Sequence, residues 1–287
     1  MKKIITILFC LLILCGCGQE KHVDLDAINN FNYDDVKQLD FDIHSKEYLL
    51  VRMSDLNVMY SKDADKKIYP ASLTKLATLD TVLNCTSSLN ETSYITDYQV
   101  QDLIDQDASL AYIWTDYDYS LRDLLYALIL PSGADGAVAL ENYFSDRGMN
   151  IIDEMAKQLD KLGCNDTHFV NTTGLHDDNH YTTLNDLFKI VMDILSFDEG
   201  RQILETMYYD NNVSLNVASS LMRIYSSNAK VLGGKTGFTD ESGQSVITLF
   251  KSNNRSYILM VANAMGDPYS GQFWHFEDAM EIMDRLY

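Results

Sequence analysis

The chain has 287 residues, of which 46% are hydrophobic and 22% are charged. This composition is ordinary for a globular protein, and the length suffices for one large domain or two small ones. The formal net charge of −20 argues against nucleic acid as a partner, because phosphates require a basic face, and against docking on anionic lipid through basic residues.

The N-terminus predicts export rather than part of the fold. Two lysines precede the apolar run Ile4–Leu14, which is too short to span a bilayer comfortably. The following Leu14-Cys15-Gly16-Cys17 resembles the bacterial lipoprotein signal. That resemblance implies that residues 1–16 are removed and that Cys17 carries lipid, so that the protein is anchored at the outer face of the membrane and faces the cell wall. An ordinary secretory signal cut nearby is the alternative.

Residues 17–40 are polar and acidic, with little helical or strand periodicity. They predict a tether between the lipid and one domain over residues 41–287. Of the five cysteines, Cys85 and Cys164 lie within that domain, and outside the cytoplasm they are compatible with a disulfide or with two free thiols. No C-x-x-C motif or histidine cluster indicates a metal site, and no cofactor is expected.

Secondary structure follows from the spacing of apolar residues. Runs at 47–53 and 57–62, separated by Ser54-Asp55-Leu56, predict a β-hairpin. Apolar residues at helical spacing over 71–84 predict a helix that is buried over much of its surface. Further helices are predicted by periodicity and capping residues at 120–130, 133–144, 149–163, 183–195 and 271–287.

The last third of the chain becomes strand-like. Apolar runs at 244–250 and 256–264 flank the turn Asn253-Asn254 and predict a second hairpin. The order is therefore strands, then many helices, then strands and a closing helix. This order predicts an α+β fold, in which both chain ends build an antiparallel sheet with flanking helices and an inserted helical subdomain.

A serine and a lysine lie three residues apart at the start of the first predicted helix, in Ser72-Leu73-Thr74-Lys75. Positions i and i+3 of a helix are neighbours, so Lys75 can reach the hydroxyl of Ser72. The pair is weak evidence by itself, because about one Ser-x-x-Lys match arises by chance in a chain of this size. Ser227 and Lys230 form a second match. Alone, Ser72 is more simply interpreted as a helix cap with a solvated lysine nearby.

Two later motifs change this interpretation. Ser132-Gly133-Ala134 follows an apolar helix, and Lys235-Thr236-Gly237 precedes the second hairpin. Ser-x-x-Lys, Ser-x-Asn and Lys-Thr-Gly, in this order, are the signature of serine enzymes that recognise penicillin. The contexts also agree, since the three motifs are predicted at a helix start, in a loop between helices and on a strand edge.

Within that superfamily the chain resembles the D-alanyl-D-alanine carboxypeptidases of the low-molecular-mass penicillin-binding proteins. The resemblance runs from about residue 45 to the end and is carried by four stretches: "YPASLTKLAT", "YSLRDLLYALILPSGADGAVAL", "THFVNTTGLHDDNHYTTLNDL" and "GGKTGFTDESG". It implies a β-lactamase/transpeptidase-like fold, here without the C-terminal β-domain that many such enzymes carry. It also implies peptidoglycan stem peptides ending in D-Ala-D-Ala as substrates and β-lactams as covalent inhibitors.

The resemblance assigns roles to the motif residues. Ser72 would be the nucleophile and Lys75 its base, once burial and the neighbouring cation of Lys235 lower the pKa of Lys75. Ser132 would relay the proton to the leaving group. Lys235 and Thr236 would hold the terminal carboxylate of the substrate.

Two further residues complete the site that the resemblance implies. The backbone N–H groups of Ser72 and Phe238 would form the oxyanion hole. Gly237, like Gly233 and Gly234, would let the substrate approach the strand edge closely.

One residue departs from the family pattern. Ala134 stands where the second motif has an asparagine, which holds the substrate amide and contacts the base lysine. Either this member tolerates alanine or its catalysis is weakened. Ala134 is therefore the best support for a rival reading, a catalytically weak penicillin-binding lipoprotein that acts as a wall-peptide binder or sensor. The retained Ser72 and Lys75 argue against that rival.

A class A β-lactamase is the nearest rival enzyme. Such enzymes hydrolyse the acyl-enzyme with a glutamate in a Glu-x-x-Leu-Asn loop. Here the corresponding stretch is Tyr181-Thr182-Thr183-Leu184-Asn185, with tyrosine in place of the glutamate. A fast β-lactamase is therefore disfavoured.

Overall fold

The computed structural model describes residues 33, 35–225 and 230–286. The predicted signal, Cys17 and Ser227 lie outside the described residues. In chain order the described strands are β1 (Glu47–Arg52), β2 (Asn57–Lys62), β3 (Thr92–Ser93), β4 (Tyr119–Ser120), β5 (Tyr208–Asp210), β6 (Asn216–Ala218), β7 (Val231–Thr239), β8 (Gly243–Ser252) and β9 (Arg255–Ala264).

The helices lie mostly between β2 and β7. In chain order the described α-helices are α1 (Thr74–Cys85), α2 (Asp97–Asp105), α3 (Leu121–Ile129), α4 (Ala134–Ser145), α5 (Ile151–Leu162), α6 (Leu184–Ser196), α7 (Asp198–Leu204), α8 (Met222–Tyr225) and α9 (Trp274–Asp284). The six predicted helices correspond to α1, α3, α4, α5, α6 and α9. Among the described residues, no helix combines the length and apolar character that crossing a membrane requires.

Both ends of the chain build the central sheet. Its strand order is β2-β1-β9-β8-β7, and every neighbouring pair is antiparallel. The predicted hairpins are β1–β2 and β8–β9, and the second turns at Asn253 and Asn254, which have φ angles of 50° and 60°, as a two-residue hairpin loop requires. The predicted α+β architecture is confirmed.

The sheet is covered on both faces. Along β1, Leu49 and Val51 belong to the large core with the inserted helices, whereas Tyr48 and Leu50 belong to a smaller core under α9. Side chains alternate between the faces of a strand, so a strand buried on both faces has a continuous apolar run. This is why residues 48–51 lack the alternation of an exposed strand.

Contacts with the sheet begin within the last part of the predicted tether. The N–H of Lys37 donates to the carbonyl of Met59 at 3.1 Å, and the N–H of Ser61 donates to the carbonyl of Lys37 at 3.1 Å. Leu39 packs against the smaller core. Residues 37–39 therefore lie along β2, before the predicted boundary at residue 41.

The two cysteines of the domain are free thiols. Cys85 is exposed at the end of α1, and Cys164 is buried after α5. Of the two possibilities left open by the sequence, the structure has the unpaired one.

Two buried carboxyl groups meet beneath α1. Asp80 of α1 hydrogen-bonds Asp193 of α6, and Oδ2 of Asp193 also accepts from Gln158 at 2.8 Å and from Asn84 at 2.9 Å. Burial, followed by the charge of Asp193, raises the pKa of Asp80 well above its ordinary value. Asp80 therefore carries the proton that it donates to Asp193.

This pair predicts that the contribution of Asp80 to stability is lost as pH rises. The folded state keeps a proton on Asp80 that the unfolded chain releases at a lower pH. The stabilisation is thus complete below the pKa of the unfolded chain and is lost as pH rises through the raised folded pKa. In urea unfolding, we expect the difference in the free energy of unfolding between the wild type and Asp80→Asn to change by about 1.4 kcal/mol per pH unit between these two pKa values. Asp80→Asn keeps a donor without a titrating proton, so its curve should be flatter. A variant with the slope of the wild type would contradict the assignment.

Candidate active site

Ser72 lies in a 3₁₀ turn, Ala71–Leu73, that leads directly into α1. Nζ of Lys75 donates to Oγ of Ser72 at 3.0 Å and to the carbonyl of Thr173 at 2.5 Å. The N-cap residue of α1 is Leu73, and the helix has no side-chain cap. The interpretation of Ser72 as a helix cap is therefore wrong, and its hydroxyl faces the lysine instead.

Lys75 is almost completely buried, with 2% of its surface exposed. Burial lowers the pKa of Lys75 to about 7, against an opposing effect of the nearby carboxylate of Asp135. Because burial disfavours the ammonium form, a large share of Lys75 is neutral near pH 7 and can accept a proton. The sequence predicted that burial and the charge of Lys235 together lower the pKa of Lys75, and burial is the leading cause of the lowered pKa.

Ser132 and Lys235 are joined across the site. Ser132 lies in the loop between α3 and α4 with a φ of 69°, and its Oγ accepts from Nζ of Lys235 at 2.8 Å. Lys235 is 1% exposed. Burial and then the charge of Lys75 lower the pKa of Lys235 well below its ordinary value. The two lysines are therefore close enough to disfavour two positive charges together.

Thr236 has a partner that the motifs did not indicate. Its Oγ1 lies 2.7 Å from Oγ of Ser220, and the backbone N–H of Ser220 donates to the carbonyl of Leu130 at 2.9 Å. Ser220 thus links β7 to the loop that carries Ser132. Sequence reasoning missed it because a lone serine between β6 and α8 belongs to no motif.

Gly237 brings β7 against the Ser72 turn. A Cβ atom at residue 237 would lie 2.8 Å from the carbonyl oxygen of Pro70, which is closer than a side chain tolerates. The next residue, Phe238, is half-buried. Its ring lies edge-on to the exposed ring of Tyr269, with 6.3 Å between the ring centroids. The predicted strand-edge position of residues 235–238 is confirmed, because β7 is the outermost strand of the sheet.

Ala134 and Asp135 begin α4 behind Ser132. The methyl of Ala134 is buried in the large core, with 1% of the residue exposed. The carboxylate of Asp135 accepts from the N–H groups of Ala111 at 2.9 Å and Ile113 at 3.1 Å. Asp135 therefore anchors the 111–113 segment rather than standing in for the missing asparagine.

The stretch from Val170 to Thr182, which we call the 170–182 loop, covers the buried side of the Ser72 turn. The carbonyl of Thr173 in this loop accepts from Lys75, and the carbonyl of Thr172 accepts from Oγ1 of Thr78 at 2.9 Å. Nε2 of its His180 lies 2.7 Å from Oγ1 of Thr74. Sequence reasoning missed these contacts, because the stretch carries the family resemblance but contains no motif that pairs it with Thr74, Lys75 or Thr78.

A cavity of about 420 Å³ lies beside the Ser72 turn and the far end of β7. It is lined by aromatic and charged side chains, among them Lys67, Tyr69, Asp178, Tyr181 and Glu241. Tyr181 thus lies at the wall of this cavity, where it supplies a phenol and no carboxylate.

The solved structures of two bacterial enzymes have this fold. The DD-transpeptidase of Streptomyces K15 superposes with a TM-score of 0.74 and 24% identity over 86% of this chain and 98% of that one. A D-alanyl-D-alanine carboxypeptidase from Mycobacterium tuberculosis H37Rv superposes with a TM-score of 0.72 and 19% identity, over 89% of this chain and 94% of that one. At these identities the likeness establishes the β-lactamase/transpeptidase-like fold.

Sequence relatives agree with this fold. The D-alanyl-D-alanine carboxypeptidase DacF of Bacillus subtilis (strain 168) is 22% identical over 77% of this chain and 57% of its own length. The corresponding DacA of Haemophilus influenzae is 26% identical over 80% of this chain and 59% of its own length. The chain thus spans less than two thirds of the length of these two curated relatives.

The family assignment follows from a match that covers most of the chain. The D-alanyl-D-alanine carboxypeptidase family matches residues 33–266, a range that contains all three motifs and the 170–182 loop. The chain belongs to the D-alanyl-D-alanine carboxypeptidase family of serine peptidases.

Proposed function

We propose that this protein is a serine D-alanyl-D-alanine carboxypeptidase that removes the terminal D-Ala from peptidoglycan stem peptides. One observation carries the proposal. A buried lysine with a pKa of about 7 donates to a serine hydroxyl at 3.0 Å, which is the geometry of a nucleophile with its base. Family membership adds the substrate class, a peptide that ends in D-Ala-D-Ala.

The reaction proceeds through an acyl-enzyme. Neutral Lys75 takes the proton of Ser72 as Oγ attacks the carbonyl carbon of the penultimate D-Ala. The N–H groups of Ser72 and Phe238 stabilise the oxyanion. The C–N bond then breaks, and Ser132 passes a proton to the departing D-Ala amine. Water attacks the resulting ester, which releases the shortened peptide and restores Ser72.

The terminal carboxylate is held by β7. Lys235 supplies a cation and Thr236 a hydroxyl donor, while Gly237 keeps the strand edge free of a side chain. Ser220 supports this clamp, because its hydroxyl lies 2.7 Å from Oγ1 of Thr236 and holds that side chain in place beside the carboxylate. Upstream residues of the peptide follow β7 toward the 420 Å³ cavity.

Lipidation of Cys17, after removal of residues 1–16, would keep the enzyme at the outer face of the membrane, and the part of the predicted tether that precedes Lys37 would span part of the distance to the wall. The net charge of −20 is consistent with a wall peptide rather than nucleic acid as the partner. β-Lactams, whose carboxylate resembles that of the substrate, would acylate the same serine and inhibit the enzyme.

A weak penicillin-binding protein is the second candidate, because the buried methyl of Ala134 offers no amide to the substrate. It would be acylated without turnover on D-Ala-D-Ala peptides. A β-lactamase would instead hydrolyse its acyl-enzyme quickly, so that it would turn over a chromogenic cephalosporin rapidly. Tyr181 provides no general base for that reaction.

The first prediction concerns the nucleophile. Incubation with a labelled penicillin should add one penicillin mass to the intact wild-type protein, and Ser72→Ala should show no adduct because the ester oxygen is absent. Ser145→Ala, which changes an exposed serine at the end of α4, is the matched control and should label normally. An adduct that persists in Ser72→Ala would refute the site. Release of D-Ala from diacetyl-Lys-D-Ala-D-Ala then separates an enzyme from a binder.

The second prediction concerns the base. Only neutral Lys75 accepts a proton, so the rate of acylation should rise about tenfold per pH unit below pH 7 and level off above it. Asp135→Asn removes a negative charge that raises the pKa of Lys75, so its acid limb should lie at lower pH. Stopped-flow acylation by a fluorescent penicillin measures the acid limb of the wild type and that of the variant. A limb near pH 10, the ordinary value for lysine, would argue against Lys75 as the base.

The third prediction concerns the carboxylate clamp. Ser220→Ala should raise KM for diacetyl-Lys-D-Ala-D-Ala about three- to tenfold with little change in kcat, because the clamp lies away from the bonds that form and break. The same peptide with a C-terminal amide serves as the control, and on it wild type and variant should perform alike. A loss confined to kcat would place Ser220 outside the clamp.

A further inference from the structure

The peptide bond between Ala71 and Ser72 is held in an uncommon backbone conformation. Ala71 has a φ of 47°, a left-handed value that residues other than glycine, asparagine and aspartate adopt rarely. Such conformations persist only where the surroundings hold them, and they cluster at functional sites. The residue that follows is the proposed nucleophile, so the contacts that hold this peptide decide how Ser72 is presented.

A chain of three hydrogen bonds, of which the two made by Thr74 are buried, ends on this peptide. The N–H of Val170 donates to Nδ1 of His180 at 3.1 Å. Nε2 of His180 lies 2.7 Å from Oγ1 of Thr74, and Oγ1 of Thr74 donates to the carbonyl of Ala71 at 2.8 Å. Thr74 and His180 are 0% and 2% exposed, so water does not compete for these bonds.

The backbone donor at Val170 fixes the direction of the whole chain. A backbone N–H can only donate, so Nδ1 of His180 must accept and the ring carries its hydrogen on Nε2. Nε2 therefore donates to Thr74, and the hydroxyl hydrogen of Thr74 is left for the carbonyl of Ala71. Burial lowers the pKa of His180 to about 4, which keeps the ring neutral, as this arrangement requires.

Gly174 closes the other side of the same carbonyl. It has a φ of 80°, and a Cβ atom there would lie 1.9 Å from the carbonyl oxygen of Ala71 and 2.9 Å from the nitrogen of Ser72. The 170–182 loop therefore rests directly on this peptide. A trans peptide is planar, with its C=O and N–H pointing in opposite directions. With the carbonyl of Ala71 held toward the loop, the N–H of Ser72 points away from it.

We propose that Thr74 and His180 are positioning residues, which hold the Ala71–Ser72 peptide so that the N–H of Ser72 is aimed at the oxyanion of the acyl-transfer transition state. The inference rests on the proposed function and adds the side chains that orient its oxyanion donor. It also gives the 170–182 loop a role in the reaction, although neither Thr74 nor His180 touches the substrate.

Acylation kinetics of Thr74→Val test this inference. Valine keeps the shape of threonine but cannot donate to the carbonyl of Ala71. The oxyanion exists only in the transition state, so the acylation rate constant should fall about 10- to 100-fold while the non-covalent affinity for penicillin stays within about twofold. Thr74→Ser, which keeps the hydroxyl, should restore the rate to within about threefold of the wild type.

Thr81→Val is the matched control. Thr81 lies on the same helix, is equally buried, and donates from Oγ1 to the carbonyl of Ala77 at 2.7 Å. The substitution therefore removes the same kind of bond away from the site. Thermal unfolding should show a similar loss of stability in both valine variants, whereas the acylation rate of Thr81→Val should stay within about twofold of the wild type.

His180→Phe provides an independent arm, because it keeps a ring but loses both hydrogen bonds. It should slow acylation to a similar degree, and the double variant with Thr74→Val should lose little more, because the two residues act as one unit. Equal acylation rates in Thr74→Val and Thr81→Val would overturn the inference. If Thr74→Val does not fold, an acylation rate of His180→Phe equal to that of the wild type would overturn it instead. Neither result touches the proposed function, which fails instead if the wild type is not acylated.

Discussion

Two lysine side chains buried side by side set the constraint on which the rest of the site depends. Lys75 and Lys235 are 2% and 1% exposed, and an interior stabilises two adjacent ammonium groups poorly. The fold therefore lowers the proton affinity of this pair, and it does so where a serine hydroxyl lies 3.0 Å from one of the two. A site open to water would leave both lysines charged, and neither could act as a base.

Exclusion of water from the pair depends on close backbone approaches. Gly237 lets β7 reach the carbonyl of Pro70, and Gly174 lets the 170–182 loop rest on the Ala71–Ser72 peptide. Ser220 joins the same strand to the loop of Ser132. Three segments far apart in sequence are thus held against one turn, and the chemistry of the family follows from their packing rather than from any single motif.

The local patterns were sufficient to predict the two hairpins, six of the described helices and the three motifs, because each is encoded within a few residues. The short helices α2, α7 and α8 were not predicted. The partners of the motifs were not predictable in this way either. His180 and Thr74 lie 106 residues apart in sequence, and Ser220 belongs to no pattern, so only the tertiary structure brings them to the site.

The pairing of β1 with β9 has a consequence for when activity can arise. Leu50 of β1 pairs with Leu259 of β9, so the central sheet cannot close until nearly the whole chain is available. Contacts of such long sequence separation form slowly, because closing the long loop costs entropy before the native contacts stabilise the chain. The turn of Ser72 meets Lys235 only when β7 joins that sheet. Until then the chain carries a serine and a solvated lysine, so the low proton affinity of the lysine pair arises only as folding is completed.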